Sequence, residues 1–321
     1  MLVLFLVLLT AAVVWLLSTL LGGGWISAVL LVAAIAVFAL VARRVVRFVR
    51  LAAAPMSELI EASARVEAGQ FGTQVAERGP REVRTLARAF NAMSTRLEET
   101  DAERRRLLAD VSHELRTPLT VIQGNIEGIL DGLYAPDRAL LERILAETHQ
   151  LERLIEDLRT LSMADAGALA LQREPTDLGA LAADVVAAFA PQAAIGKVAL
   201  TVQAVDGLPD LEVDPLRIRQ VITNLVANAL HHTPAGGRIT VSVTPDGDGQ
   251  MLSVTDTGSG MDADAASHAF DRFWRSAGSP GAGLGLAIAR DLMRAHGGEV
   301  ELNSSLGTGT TVVCRFRPSR T

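Results

Sequence analysis

The stretch DVSHELRTPLT, residues 110–120, sets His113, Glu114 and Thr117 close together in a segment that otherwise reads as helix. A neutral imidazole near pH 7 has a free lone pair and is a competent nucleophile. If its Nε2 attacks phosphorus, a carboxylate that holds the Nδ1 proton assists. Glu114 is adjacent and long enough to curl round, although neighbours on a helix do not share a face. Thr117 stands one turn on and does share the face of His113. Pro118 has no N–H, so the carbonyl of Glu114 loses its helical partner, which predicts a bend beside the nucleophile.

Three further stretches suit a nucleotide. In RQVITNLVANALHHT (219–233), Asn224 and Asn228 lie one turn apart on one helix face, with Val221, Ile222, Leu225, Val226 and Ala229 on the other. Two amides so placed can complete a magnesium shell that includes phosphate oxygens and water. Either asparagine alone reads equally as a surface amide. In VTDTGSGM (254–261), Asp256 ends an apolar run and a Gly-x-Gly turn follows, so its carboxylate can accept a hydrogen bond from an exocyclic amine such as adenine N6. Glycine turns after strands are common, and this one is suggestive only in company. In GAGLGLAIARDLM (281–293), Gly281, Gly283 and Gly285 open a helix, where backbone N–H groups can approach phosphate. No GK[ST] follows and no strand immediately precedes it, which excludes the Walker and Rossmann patterns. SLGTGT (305–310) adds another glycine turn, and the span 262–280 reads as a mobile lid.

These residues need elements to hold them. At about 100° per residue, Leu108, Val111, Leu115, Leu119, Ile122, Ile126 and Ile129 form one stripe, and His113 falls on roughly the opposite side. A solvent-facing histidine is expected, not a core one. After the turn DGLYAPD (131–137), Leu141, Ile144, Leu151, Ile155 and Leu158 give a second amphipathic helix. Two such hairpins make a four-helix bundle in a dimer with the histidines outside. From about residue 172, five strand-like runs (198–205, 238–245, 250–256, 299–305, 310–318) mix with helix-like runs at 177–190, 215–232 and 283–297. That mixture predicts an α+β sandwich, helices on one face of a mostly antiparallel sheet.

Upstream, residues 51–100 read as two helices around a glycine-rich connector. The seam Val83, Leu86, Phe90, Met93, Leu97 has coiled-coil spacing, and Met56, Leu59, Ser63, Val66 a weaker one. A parallel dimer or a helix pair folded on itself satisfies both. Residues 2–21 and 25–42 carry no charge, and each is about long enough to span a bilayer. Gly22, Gly23 and Gly24 separate them, and four arginines in 43–50 mark the cytoplasmic flank. The first run lacks the basic start and cleavage site of a signal peptide; a misplaced start codon is the other alternative. A formal net charge of −6 argues against direct nucleic-acid binding, and the single Cys314 allows no internal disulfide and no cysteine-based metal site.

With its boxes in this order, the chain resembles a bacterial membrane-bound sensor histidine kinase of a two-component system. Residues 43–98 resemble the HAMP linker, including Pro55 and Glu82. SHELRTPL resembles the H box, VDPLRIRQVITNLVANALHHT the N box, DTGSG the G1 box, FDRFWR the F box and GAGLGLAIA the G2 box. The resemblance implies a multi-domain chain: two N-terminal transmembrane helices (1–42), an all-α HAMP linker (43–98), a dimeric four-helix-bundle phosphotransfer domain (99–166) and an ATP-binding α+β sandwich (167–321). It implies that His113 takes the γ-phosphoryl group of ATP, Glu114 acts as general base and Thr117 orients water for dephosphorylation of the partner. Asn228 would ligate Mg2+ with support from Asn224; Asp256 would read adenine; Arg275 would touch the terminal phosphate. Gly258, Gly260, Gly281, Gly283, Gly285, Leu286 and Thr310 would shape the nucleotide site. His231 stands where the family often has lysine or arginine on the phosphates, which would weaken binding or make it pH-sensitive. The lid between Arg275 and Gly281 is short, and three glycines stand where most relatives have a sensor domain.

The implied partners are a second copy of the chain, membrane lipid, and the receiver-domain aspartate of a separate response regulator, since no receiver-like segment follows residue 318. The expected location is the bacterial cytoplasmic membrane, multi-pass, with the catalytic domains cytoplasmic. Two other classes compete. An ATPase of the same nucleotide fold explains 215–310 but leaves SHELRTPL idle, and a non-enzymatic membrane scaffold leaves intact nucleophile and magnesium positions unused.

Overall fold

A computed structural model describes residues 10, 12–16, 25–275 and 281–317, which fall into two compact units, 1–106 and 107–321, each with its own core. Helix α1 (Trp25–Glu67) joins the second apolar run to the first linker helix without a break and runs through Pro55. Along its first half Trp25, Val32, Ile35, Val37 and Leu40 lie on the surface. The first apolar run, 2–21, lies outside the described residues except at 10 and 12–16, which are helical.

The core of the first unit is small: Leu59 and Ala62 of α1, Val75 of the connector, and Ala87 and Phe90 of α2 (Arg81–Leu130), with Val66 against them. The connector is fastened by Asn91, whose Oδ1 accepts from the Val75 N–H (2.9 Å) while its Nδ2 donates to the Val75 carbonyl (3.0 Å). The buried positions of α2 here are Val83, Ala87, Phe90 and Ser94, whereas Leu86, Met93 and Leu97 stay exposed. The expected seam therefore divides over two faces. Alanines at 62 and 87 do the close packing, and alanine carries little weight in a hydrophobic-period reading.

In the second unit the rest of α2 and α3 (Arg138–Asp165) form a hairpin, α3 being capped by Asp137, which accepts from the Leu140 N–H at 2.8 Å. Helix α2 continues through Pro118 with no interruption of its helical run. Beyond the hairpin come β1 (Glu174–Thr176), α4 (Leu178–Ile195), β2 (Ala199–Ala204), β3 (Leu211–Val213), α5 (Pro215–His232), β4 (Arg238–Asp246), β5 (Gly249–Asp256), α6 (Ala263–His268), α7 (Gly285–Ala295), β6 (Glu299–Ser305) and β7 (Gly309–Phe316). The main sheet has the order β2-β4-β5-β7-β6; β2 and β4 are parallel and the other pairs antiparallel. Strands β1 and β3 form a separate antiparallel pair that has no counterpart among the runs expected from sequence, being three residues each.

Strand alternation accounts for the sandwich. Ile239, Val241 and Val243 of β4, Leu252 and Val254 of β5, and Val312, Cys314 and Phe316 of β7 point to one side and are buried. Helices α4, α5 and α7 close over them through Leu181 and Val185, Ile218, Ile222 and Leu225, and Ile288 and Leu292. Burial pushes the Cys314 thiol up to about 12, as expected of a core cysteine. Helix α4 is the one helix among the described residues that is long and apolar enough to cross a membrane, yet it starts at an Asp177 cap and buries Leu178, Leu181, Ala182, Val185 and Val186 in this core. It continues past Pro191, beyond the end expected at 190.

Leu154 and Leu161 of α3 belong to the same core, with Leu115 and Leu158 against it. The hairpin is thus docked on the sandwich through Leu154 and Leu161, with Leu115 and Leu158 of the expected stripes at its edge, while Leu141 and Ile155 of α3 and Leu108, Leu119 and Ile126 of α2 remain exposed.

Candidate functional site

Strand β5 delivers Asp256 to the floor of a cavity of about 720 Å³. The carboxylate is buried. Its Oδ1 accepts from the Gly258 N–H (2.8 Å) and the Thr310 N–H (3.2 Å), which leaves Oδ2 for a ligand donor. Burial pushes its pKa up, opposed by the two backbone N–H groups and by the charge of His232. The turn beyond has no room for a side chain at Gly258, where a Cβ would stand 2.4 Å from the His232 carbonyl oxygen. Gly260, at φ +64°, is closed by the Ser305 carbonyl in the same way. Ser304 ties the neighbouring turns: its hydroxyl accepts from the Met261 N–H (2.8 Å), donates to the Gly309 carbonyl (3.1 Å) and lies 2.9 Å from the Thr310 hydroxyl.

The cavity's second wall is α5. Asn224, Asn228, His231 and His232 all line it. Asn224 Nδ2 donates to the carbonyl of Gly285 (3.2 Å) and so holds the start of α7 against α5. Asn228 makes no such bond and offers its amide to the cavity. His231 and His232 meet edge to face, ring centres 4.7 Å apart. Burial, then the His231 charge, lowers the His232 pKa against the pull of Asp256.

Gly281, Gly283, Gly285 and Leu286 line the third wall with Trp274 and Arg275. Phe273 adopts φ +60°, a conformation unusual for a bulky residue, and its N–H donates to the Gly283 carbonyl (3.0 Å). A Cβ at Gly283 would meet the Trp274 carbonyl oxygen at 2.7 Å. The segment 276–280, part of the span read as a lid, lies outside the described residues.

The hairpin supplies the fourth wall: Glu114 of α2 and Gln150, Arg153, Leu154 and Asp157 of α3. His113 stands beside it with its side chain 76% exposed, Nδ1 4.0 Å from Glu114 Oε1. The Thr117 hydroxyl donates to the His113 carbonyl at 3.3 Å. Glu114 pairs instead with Arg275, Nη2 to Oε1 3.2 Å, and Arg275 Nη1 donates to the Gly281 carbonyl at 2.7 Å. Every residue expected at the site from Glu114 to Leu286, apart from His113, Thr117 and Gly258, lines this one cavity, and Thr310 lines it too. Among the described residues no group of three or more His, Cys, Asp or Glu is arranged to hold a metal.

Sequence reasoning missed the residues that join hairpin to sandwich. Arg272 grips Asp165 with both guanidinium ends (2.7 and 2.6 Å) and also reaches Asp291 at 3.0 Å, which pushes its pKa further up. Asp157 is hydrogen-bonded by Gln220, and Arg217 reaches Thr160 at 3.5 Å. Burial pushes Asp157 up to about 6, against the pull of Arg153 and Gln220. His296, also unforeseen, accepts the Asp214 N–H through Nε2 (3.1 Å) and sits 2.8 Å from the Leu292 carbonyl through Nδ1, so the neutral Nδ1–H tautomer braces the cap of α5.

The description "HAMP domain" matches residues 47–99, "His Kinase A (phospho-acceptor) domain" residues 103–167, and "Histidine kinase-, DNA gyrase B-, and HSP90-like ATPase" residues 213–320. The chain belongs to the bacterial two-component sensor histidine kinases. It is similar to the signal transduction histidine-protein kinase BaeS of Escherichia coli K12, 35% identical over 252 residues, 77% of this chain and 54% of that protein. Among solved structures it resembles the Acinetobacter baumannii histidine kinase AdeS (TM-score 0.57, 29% identity, 65% of this chain and 98% of that one). It also resembles full-length ShkA in complex with AMPPNP (TM-score 0.52, 30% identity, 66% of this chain and 45% of that one). The matched region spans 31–54% of the length of the curated relatives, 54% for BaeS.

Proposed function

We propose that the chain is an ATP-dependent protein-histidine kinase that phosphorylates itself on His113 and passes the phosphoryl group to an aspartate of a separate response regulator. The observation that carries this reading is the placement of Glu114, next to the exposed His113, on the wall of the cavity that holds Asp256 and Asn228. The AMPPNP complex of ShkA supports ATP as the substrate. The cavity fits it: a buried acceptor for adenine N6 in Asp256, glycine turns with no space for a Cβ, and backbone N–H groups at the start of α7. Asn228 would hold Mg2+, which when bound neutralises charge on the phosphates.

In the reaction, Nε2 of neutral His113 attacks the γ-phosphorus. The N–P bond forms as the bond to the bridging oxygen of the β-phosphate breaks, and ADP leaves. As the N–P bond forms the imidazole gains positive charge, and Glu114 would take up the Nδ1 proton, which leaves a neutral phosphohistidine. Catalysis is positioning plus charge neutralisation. Thr117 would orient water for the reverse task, removal of phosphate from the regulator.

Several finer features belong to the same proposal. Two membrane spans, 2–21 and 25–42, would anchor the chain in the cytoplasmic membrane with both catalytic parts inside, a placement supported by the exposed apolar side chains of α1. Linker, phosphotransfer and ATP-binding domains would occupy 43–98, 99–166 and 167–321. A homodimer is supported by the apolar residues that α2 and α3 leave uncovered, Leu108, Leu119, Ile126, Leu141 and Ile155.

The test is incubation of the detergent-solubilised full chain with radiolabelled ATP and magnesium, beside its His113→Gln variant. Acid-labile, alkali-stable label that is lost in the variant is expected. Equal label in both would refute the assignment.

A further inference from the structure

Glu114 has two suitors for one oxygen. Its Oε1 lies 3.2 Å from Arg275 Nη2 and 4.0 Å from His113 Nδ1. The first is an ion pair and the second is too long for a hydrogen bond. Adjacent residues on a helix point about 100° apart. The same oxygen is thus paired with Arg275 and stands about 1 Å short of a hydrogen bond to the imidazole, so a small turn of the carboxylate separates the two arrangements. In this arrangement it has chosen Arg275, with the Glu114 side chain only 18% exposed and that of His113 76% exposed.

Arg275 is itself held from the other end, since Nη1 donates to the Gly281 carbonyl at 2.7 Å. The guanidinium thus forms a bridge from the glycine loop that opens α7 to the carboxylate beside the nucleophile. A guanidinium recognises carboxylate and phosphate through the same planar edge of N–H donors, so the two anions are rivals for it. Arg275 lines the same cavity as Asn228 and Asp256, within which the phosphates of a nucleotide would have to lie.

Resting on the kinase reading, we propose that Arg275 is a positioning residue that couples nucleotide binding to the catalytic carboxylate: Glu114 and the terminal phosphate of the nucleotide compete for its guanidinium. When the phosphate takes Arg275, Glu114 loses its ion pair and its Oε1 turns to the Nδ1–H of His113. The carboxylate is then engaged with the imidazole only when there is a phosphoryl group to transfer. No bond is made or broken in this step; one ion pair is exchanged for another, and one hydrogen bond forms.

The competition is measurable without any phosphoryl transfer. Affinities for AMPPNP and for ADP are to be determined by calorimetry on the detergent-solubilised full chain, with magnesium, for the wild type, Glu114→Gln, Arg275→Ala and the double variant. Glutamine keeps the shape of Glu114 but gives up the charge. If the two anions compete, Glu114→Gln tightens AMPPNP binding roughly 5-fold, the worth of a partly exposed ion pair, and leaves ADP binding unchanged. In the Arg275→Ala background the same substitution does nothing. Unchanged or weaker AMPPNP binding in Glu114→Gln would overturn the proposal, and so would an equal gain with and without Arg275. Absence of AMPPNP binding in all four chains would remove the nucleotide reading itself, a result distinct from wild-type binding that ignores Glu114.

Discussion

His113 and Asp256 are built on opposite principles. The first stands on the outside of a long helix, touching little, with its carboxylate neighbour turned elsewhere. The second is buried, its Oδ1 fixed by two backbone N–H groups and its surrounding turns so tight that glycine alone fits. On the proposed reading His113 must meet a nucleotide at one moment and a partner protein at another, so exposure serves it. A nucleotide site must be pre-organised, so its polar groups are paired before the ligand arrives. The consequence is that chemistry and stability separate at His113 and are entangled at the cavity.

The largest effect expected from that contrast is at the nucleophile. Changing His113 to Gln should abolish self-labelling entirely while unfolding free energy and AMPPNP binding free energy stay within about 0.5 kcal/mol of wild type, as for other exposed substitutions. A large fall in Tm would break the contrast. Next comes Asp256→Asn. Asparagine keeps an oxygen for the Gly258 and Thr310 N–H groups but gives up the charge, so AMPPNP affinity should fall about 10- to 100-fold by calorimetry. Gly260→Ala should lower stability by about 1–3 kcal/mol in thermal unfolding, since the new Cβ meets the Ser305 carbonyl and φ is +64°. Gly281→Ala, at φ +88° but with nothing within 4 Å among the described residues, should cost only about 1 kcal/mol.

The smallest effect tests the seam between the two regions. Docking of α3 buries Asp157 and raises its pKa from 3.8 to about 6. A carboxyl so raised adds stability that is fully present below about pH 3.8 and is lost as pH rises through about 6. At pH 7 the ionised group is a net cost. Asp157→Asn should therefore raise the unfolding free energy at pH 7, by about 1 kcal/mol once its residual solvent contact is discounted, and change little at pH 4. A drop in Tm at pH 7 would mean that Asp157 is held by a partner stronger than Gln220.

Local signals carried much of this molecule. Helix α5 runs from Pro215 to His232, the span read from sequence, because Asp214 caps it and Pro215 suits its first turn. The glycine boxes were legible because backbone that must approach phosphate or carbonyl admits little else. Long-range pairing was not legible. Arg272 meets Asp165, 107 residues away, and no period or motif links them. The face of α3 that docks on the sandwich, Leu154 and Leu161, was not foreseen for the same reason: periodicity finds apolar residues but not which of two partners, a second hairpin or the sandwich, each will meet. Pro118 lies inside α2, whose helical run continues past it, since a single lost hydrogen bond is tolerated in a helix of 50 residues.

The central claim concerns one atom, and it is tested most directly by locating the phosphate. After reaction of the full chain with ATP and magnesium, and digestion kept at neutral or alkaline pH, mass spectrometry should find the phosphoryl group on the peptide that contains His113 and on its imidazole. Phosphate on any other residue, or label bound to the chain through serine or threonine of the same helix, would contradict the account.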